Sequence, residues 1–468
     1  MKIVLDIEHN KYEYEIKSLI SAFFISAEFY RENIIDKDLY LRITYELDKA
    51  VINIKKDNCI KDSLVVLCGV KSKDIIKIEQ KIYEEIQFLY NKSLPWGILT
   101  GVRPVKIALK MLENGKSDED IIDYYVKERY LSYDKAKICT LLAHKERELI
   151  NNLSNSDMAL YVNIPICPKR CNYCSFISKQ STDNDYIEKY VQALINEIHQ
   201  MSGYFNNNNI ASVYIGGGTP GILSAKAISL LIGEIRNNFN LKKCLEFTFE
   251  AGRADCIDDE KLSAIKSSGA DRICINAQSM HDVTLDKIGR HIKVSKFYEA
   301  YEKAMKYDFI KNVDLIYGLE GENEEMFLSS LNKVIALNPE NITLHSLSYK
   351  RNSQIFEDKN FISSYGFDKC YEILKNNNYH PYYLYRQKYT ANAAENTGFS
   401  RAGYDGIYNR LIISERIGVI GLGAGAAGKI YDKETDNIAR VAGYKNIDLY
   451  IENTQDAIDK KLRTYGFI

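Results

Sequence analysis

Between residues 158 and 350 the chain repeats one pattern, a short apolar run followed by a longer amphipathic one. No other feature constrains its fold as tightly. The apolar runs are ALYVNI (159–164), SVYIGGG (212–218), LEFTFEAG (245–252), RICINAQ (272–278), NVDLIYG (312–318) and NITLHSLSY (341–349). Stretches such as DYIEKYVQALINEIHQM and DDEKLSAIKSSG separate them, with apolar residues at helical spacing. Repeated strand–helix units specify an α/β fold around a parallel sheet, either closed as a barrel or doubly wound. In both, chemistry gathers at the carboxyl ends of the strands. Cysteines follow the first strand, GGGTP the second, Glu250 ends the third, Gln278 follows the fourth, and Asp314 lies in the fifth. Five successive strands marking one rim favour a partial barrel.

The flanks read differently. Residues 1–155 mix alternating, β-branched runs (YLRITYELD, KAVINIKKD) with the helical DIIKIEQKIYEEIQFLY. LPWGILTGVRPVKIALKMLENG follows, with the single tryptophan, Trp96, and a Pro104 placed to open a helix. The region ends in the Asn/Ser-rich LINNLSNSD, which reads as a linker, and holds no catalytic constellation. It is expected to be an α+β cap or docking domain, with 156–350 as the barrel and 351–468 as a carboxyl-terminal extension covering the substrate. Basic and acidic residues balance at 62 against 63, which gives no sign of nucleic acid or an anionic membrane as a partner. No apolar run reaches the roughly 20 residues that span a bilayer, and the amino terminus turns polar too soon for a signal peptide. A cytoplasmic protein with reduced thiols is expected. Seven of the ten cysteines are scattered, and most are expected to be small buried hydrophobes.

The other three cluster in ICPKRCNYCSF: Cys167, Cys171 and Cys174, at spacing C-x3-C-x2-C. Zinc is one reading, with His144 or Cys244 as a distant fourth ligand, but no second ligand pair of the usual spacing is visible. A cubane iron–sulfur cluster is the other. It takes one thiolate per iron, so three cysteines leave one iron open to a small chelating molecule. Lys169 and Arg170 either offset the charge of such a cluster or are solvated loop residues. The second rim feature, YIGGGTPGIL, lets backbone approach a ligand with N–H groups free to donate, or forms a tight turn. IGLGAGAAGKI (420–430) spells G-x-G-x-x-G, but Ile430 stands where a phosphate loop needs Ser or Thr. It reads as a close-packing element.

The cysteine spacing, with an aromatic before the last cysteine and a short strand before the first, resembles the radical S-adenosylmethionine (SAM) enzymes. YVNIPICPKRCNYCSF, GGGTP, FTFEAGR, NAQSM, IGRHI and VDLIYGL resemble, in order, the oxygen-independent coproporphyrinogen III dehydrogenases and their relatives. LPWGILTGVRP and YYLYRQKYTANAAENTGFSRAGYDGIYN look like the HemZ branch. The resemblance implies a six-fold βα partial barrel with one 4Fe–4S cluster on Cys167, Cys171 and Cys174. SAM would occupy the open iron and be cleaved to a 5′-deoxyadenosyl radical by one electron from a donor such as flavodoxin or ferredoxin. Position by position it assigns Tyr161, Tyr173, Gly217 and Glu250 to that SAM, and Gly218, Thr219, Gln278, Arg290 and Asp314 to a second. Ala427 matches a further SAM contact. On chemistry alone, Glu250 is also a candidate helix cap, and Arg290 a surface residue.

The implied reaction removes a hydrogen atom from two propionates of coproporphyrinogen III and releases CO2, leaving vinyl groups. Arg386 and Lys388 in YYLYRQKY are the candidate propionate partners, with Lys350 and Arg351 nearby. On an extended segment Arg386 and Lys388 share a face. An ion pair with Glu395 would instead make Arg386 structural. One departure stands out: dehydrogenases of this family continue to a fourth cysteine where this chain has Phe176, as the related haem chaperones do. A haem chaperone and a methyltransferase that opens the haem ring are therefore the alternative readings, with haem as the tetrapyrrole.

Overall fold

The computed structural model describes residues 1–468 except 26, 102, 177, 349–366, 388–389 and 391–393. Its packing divides the chain into two units. The first takes Met1–Lys145 and the described part of Leu384–Glu395; the second takes the rest.

The first unit is built on β1 (Lys2–Ile7), β2 (Glu28–Tyr30), β3 (Leu39–Glu46), β4 (Lys49–Lys56) and β5 (Cys59–Val66), in the order β2-β1-β3-β4-β5. The two alternating runs of the sequence are β3 and β4, antiparallel with Ile43 opposite Ile52. Alternation turns Leu41, Ile43, Ile52 and Ile54 inward, against Ile78, Ile82 and Ile86 on one stripe of the helix Lys71–Tyr90. Pro104 immediately precedes the helix Val105–Glu113. Buried Trp96 donates from Nε1 to Glu395 Oε2 (2.8 Å), whose other oxygen meets the Lys135 ammonium at 2.5 Å. The unit ends inside the helix Tyr133–Asn151, shortly before the stretch expected as a linker.

The second unit opens with β6 (Asp157–Ile164) and the small pair β7 (Ile166–Cys167) and β8 (Lys179–Gln180). Then come β9 (Asn209–Gly217), β10 (Glu246–Gly252), β11 (Arg272–Ile275), β12 (Ile310–Tyr317) and β13 (Asn341–Ser346). β6 and β9 to β13 form six parallel neighbours in sequence order. This is the partial (β/α)6 barrel that the alternation favours. Four crossover helices start on side-chain caps. Asp183 caps Asn184–Ser202, Ser224 caps Ala225–Asn238, Asp258 caps Asp259–Ser267 and Asn323 caps Glu324–Ala336. Each cap contributes about 1 kcal/mol and fixes where the chain turns back along the sheet.

Later segments extend this sheet at both edges. β13 pairs antiparallel with β15 (Glu395–Ser400), beyond which lies β14 (His380–Arg386). On the other side β16 (Gly418–Leu422) runs parallel to β6, followed by the antiparallel β17 (Ala427–Asp432) and β18 (Asn437–Ala442). From Asn396 on, the residues expected as a separate carboxyl-terminal region thus share the barrel's unit. Their strands complete an existing sheet. The scattered cysteines depart from expectation: only Cys139, Cys274 and Cys370 are buried, and Cys59 and Cys68 are exposed. Cys59 begins the edge strand β5 and Cys68 follows its end.

Candidate active site

The cysteine loop leaves the carboxyl end of β6 and is closed at its base by β7 and β8, with Cys167 opposite Gln180. Cys174 N–H donates to Cys171 O (3.1 Å), which folds the loop back on itself, and Asn172 N–H donates to Ile288 O (3.0 Å), which ties the loop to the end of the helix Asp282–Lys287. The thiols feel one another electrostatically, and burial pushes those of Cys167 and Cys174 up. A donor faces each sulfur. Thr219 Oγ1 lies 3.4 Å from Cys167 Sγ and Arg253 Nη1 3.9 Å from Cys171 Sγ, while the Phe176 N–H donates to Cys174. The candidate fourth zinc ligands have partners of their own. His144 belongs to the first unit and pairs with Asp118, and Cys244 Sγ donates to Glu246 O. Lys169 and Arg170 are exposed.

The GGGTP stretch packs directly on this loop. Gly218 N–H donates to Ile164 O and Thr219 N–H to Ile166 O, both at 2.9 Å, and Gly217 N–H donates to the Glu250 carboxylate. The donors expected to be free for a ligand instead pin the cysteine loop and Glu250 in place. A Cβ on Gly218 would stand 2.7 Å from Ile166 O and 3.0 Å from Cys167 Sγ. At Gly217, φ is +113° and a Cβ would fall 1.9 Å from Asn163 Oδ1, so only glycine fits.

Alternation along the parallel strands lines the barrel interior with polar layers. Near the floor, Arg272 Nε meets Glu246 Oε2 at 3.0 Å, and the same carboxylate accepts the N–H groups of Ile407 and Tyr408. That contact seats the helix Ile407–Ser414, and Tyr408 stacks on Tyr214 (4.6 Å between centroids), with Tyr161 6.3 Å from each. One layer higher stand Glu250, Cys274, Asp314 and His345. Tyr214 OH donates to Glu250 Oε2 (3.0 Å) and Asn276 Nδ2 to Oε1 (3.4 Å). Burial, then the charge of Asp314, pushes Glu250 up to about 7. Asn312 Nδ2 donates to Asp314 Oδ1 (2.7 Å), and His345 Nε2 lies 3.4 Å from Oδ2. Burial alone would lower His345, but Asp314 raises it. Its Nδ1 faces Asn396 Oδ1 at 3.3 Å. Glu250 is no helix cap; Asp258 fills that role for the next helix.

Other predicted residues gather at the same rim. Buried Arg290 donates to Gly252 O, Asn276 O and, at 3.5 Å, to Tyr173 OH; it is not a surface residue. Burial, then Cys171, pushes the Tyr173 phenol up. Gln278 takes φ +65° so that its N–H and C=O bond to β12 residues on either side, and its buried Oε1 has no hydrogen-bond partner among the described residues. Ala427 is exposed, opposite Ala442 in β18. Residues 420–422 of the glycine-rich stretch pair with β6, and 423–425 continue past the end of β16: Asn163 Nδ2 donates to Ala424 O (2.5 Å), and Gly423 N–H to Glu197 Oε2 (2.7 Å). It is the close-packing element expected.

Arg386 has its partners within the first unit. It is buried in the first unit, with its guanidinium 5.1 Å from the Trp96 ring, donating to Leu99 O and in the field of Glu395. Lys388, Lys350 and Arg351 lie outside the described residues. Sequence reasoning passed over Tyr214, Tyr408, Asn163, Arg253 and His345. Only the inward parity of Tyr214 and His345 with Glu250 and Asp314 signals any of them beforehand.

A parallel partial barrel with three thiols and a glycine-rich strand end at its carboxyl rim defines a class. Residues 161–334 match the model of the Radical SAM superfamily. The chain is 35% identical over 387 residues to the oxygen-independent coproporphyrinogen-III oxidase-like protein HemZ of Bacillus subtilis, covering 79% of this chain and 76% of that protein. It is 29% identical over 297 residues to the heme chaperone HemW of Lactococcus lactis (61% and 73% covered). Among solved structures, coproporphyrinogen III oxidase (HemN) from Escherichia coli shares the fold, with TM-score 0.53 and 19% identity over 70% of this chain and 77% of that one. The chain belongs to the HemZ-like family of radical SAM proteins.

The cofactors of such a protein are a 4Fe–4S cluster and SAM, and the donor set fits. Among the described residues no three His, Cys, Asp or Glu side chains form a ready cage for one metal ion. A cubane asks for something else, one thiolate per iron. Cys167, Cys171 and Cys174 supply three from one loop, which leaves the fourth iron for SAM, and each already faces a donor suited to a thiolate. The orphaned Gln278 Oε1 awaits a donor such as an ammonium or hydroxyl group. Among the described residues no helix is long and apolar enough to cross a membrane.

Proposed function

We propose that this protein is an oxygen-independent coproporphyrinogen III dehydrogenase, converting two propionates to vinyls on the way to protoporphyrinogen IX. The observation that carries the reading is the polar layer beside the cysteine loop. Glu250 is buried, titrates close to neutrality, and is held by Tyr214, Asn276 and the Gly217 N–H, with Asp314 and His345 alongside. So costly a buried carboxylate suits a site that orients a charged cosubstrate.

The cluster and SAM, when bound, supply the radical that removes one hydrogen atom from the propionate β-carbon. Loss of CO2 and of one electron to an acceptor then leaves the vinyl group. The chain's own part is positioning. Tyr161, Tyr173, Gly217 and Glu250 would hold the cluster-bound SAM. Gly218, Thr219, Gln278, Arg290 and Asp314 would line a second SAM position, and the stacked tyrosines exclude water from the floor. One-electron reduction by a flavodoxin or ferredoxin completes the requirement. Likeness to proteins named for coproporphyrinogen oxidation supports the substrate class.

One observation favours a second reading, a haem chaperone. Phe176, at the place of a fourth cysteine, is 67% exposed, an apolar ring beside the cysteine loop, and several relatives are named heme chaperones. Anaerobic incubation with coproporphyrinogen III, SAM and reductant separates the two. A dehydrogenase releases two 5′-deoxyadenosines per protoporphyrinogen, read by mass spectrometry. Stable haem binding with no decarboxylation would instead establish the chaperone.

A further inference from the structure

We propose that Arg253 sets the reduction potential of the cluster, through a hydrogen bond from Nη1 to the Cys171 thiolate. The inference rests on the three-thiolate cluster and adds a residue that the family resemblance does not assign. Arg253 follows β10 directly and is 6% exposed. Three of its bonds hold the guanidinium rigidly. Nε meets Asp255 Oδ1 at 3.0 Å, Nη2 meets Oδ2 at 2.8 Å, and Nη2 also reaches Arg290 O at 3.0 Å. The remaining arm, Nη1, points at Cys171 Sγ from 3.9 Å, the long end of an N–H···S bond.

That geometry suits potential setting better than simple packing. The bidentate grip of Asp255 fixes the plane of the fork, so Nη1 is aimed at the sulfur without entropy left to lose. Asp255 is the more exposed partner, so the buried end of the pair, next to the cysteine loop, is the positive one. Hydrogen bonds to cluster sulfurs and nearby charge are the protein's main means of adjusting cluster potential. A fixed cation favours the reduced cluster, which carries one more electron. The same guanidinium holds the Arg290 backbone, and Arg290 reaches Tyr173 in the cysteine loop. Arg253 therefore braces the loop from two sides.

The test is a redox titration of anaerobically reconstituted protein, followed by EPR, with iron counted in each sample. Arg253→Gln should shift the reduction equilibrium about tenfold toward the oxidised cluster, about 59 mV lower for a one-electron couple. Arg253→Lys keeps a cation but not the fork, so its potential should fall by less. If the Gln variant fails to retain iron, the Lys variant decides alone: a lowered potential supports the assignment, and an unchanged one overturns it. A merely structural role would reduce iron content or thermal stability while leaving the potential of the loaded clusters where it was. Wild type that binds no iron would refute the cluster reading and this role of Arg253 with it, whereas a loaded cluster whose potential ignores Arg253 overturns the role alone.

Discussion

The glycine-rich loop at 423–425 hangs on one buried ion pair, and breaking that pair should loosen the rim of the barrel. Lys461 Nζ lies 2.5 Å from Glu197 Oε1, with the two side chains 1% and 0% exposed. Glu197 Oε2 also accepts Gly423 N–H and Tyr450 OH, each at 2.7 Å, and Lys461 donates to Gly421 O at 2.8 Å and Gly423 O at 3.4 Å. Every polar atom of the pair is thus engaged. Lys461→Met would leave a carboxylate in the interior with two donors and no counter-charge, and two carbonyls without their ammonium. Removing one partner of such a pair costs about 3–5 kcal/mol. At roughly 1.5–2 °C per kcal/mol for a unit larger than 250 residues, the Tm should fall by about 4–10 °C. Replacing both, Glu197→Gln with Lys461→Met, should recover much of the loss, because the penalty lies mainly in the orphaned charge. Thermal unfolding followed by circular dichroism on the four proteins gives the coupling. A single Lys461→Met variant within about 1 kcal/mol of wild type, or a double variant worse than the sum of the singles, would refute the reasoning.

Two further outcomes follow from the site and a third from the buried arginine of the first unit. Gly217→Ala places a methyl against Asn163 Oδ1 and forces φ +113° on a residue with a Cβ, so SAM binding by calorimetry and iron retention should both fall; wild-type values for both would contradict the packing described. Glu250 sits at about 7 against an ordinary 4.5, so the folded state holds its proton more tightly than the unfolded chain. Its contribution to stability is therefore unperturbed below about pH 4.5 and becomes unfavourable as pH rises to 7, by about 3 kcal/mol at most. The Tm of Glu250→Gln relative to wild type should rise between pH 5 and pH 8; a difference that stays flat with pH would contradict it. Arg386→Ala should cost about 1.5–3 kcal/mol of stability by removing a buried charge-assisted bond, with cluster content and coproporphyrinogen affinity unchanged; a stable variant with weakened substrate binding would return Arg386 to the site.

What could be read from the sequence was what local pattern encodes. Strands such as NVDLIYG are runs of inward-packing residues bounded by polar caps, so six parallel strands and their helices were legible. C-x3-C-x2-C in one loop and GGGTP after a strand were legible for the same reason, since each is set by nearby backbone. Residues that reach the site from far along the chain were not. Tyr408 arrives on a helix seated by Glu246, Lys461 reaches Glu197 across more than 260 positions, and no local period announces either. Arg386 shows the converse. Alternation places it on a strand face, and β14 does extend to Arg386, but alternation does not say what covers that face. Trp96 and Glu395 do. The glycine N–H groups were misjudged because a donor that looks free in sequence finds a carbonyl once β6 and β9 lie side by side.

The claim on which the rest depends is that Cys167, Cys171 and Cys174 hold a cluster with one iron open to SAM. EPR of the anaerobically reconstituted, reduced protein tests it most directly, with metal analysis on the same sample. About four irons per chain are expected for a single cubane, with a signal that changes shape when SAM is added and disappears when any of the three cysteines is changed to Ala. Stoichiometric zinc in place of iron, or a cluster signal indifferent to SAM, would contradict the account.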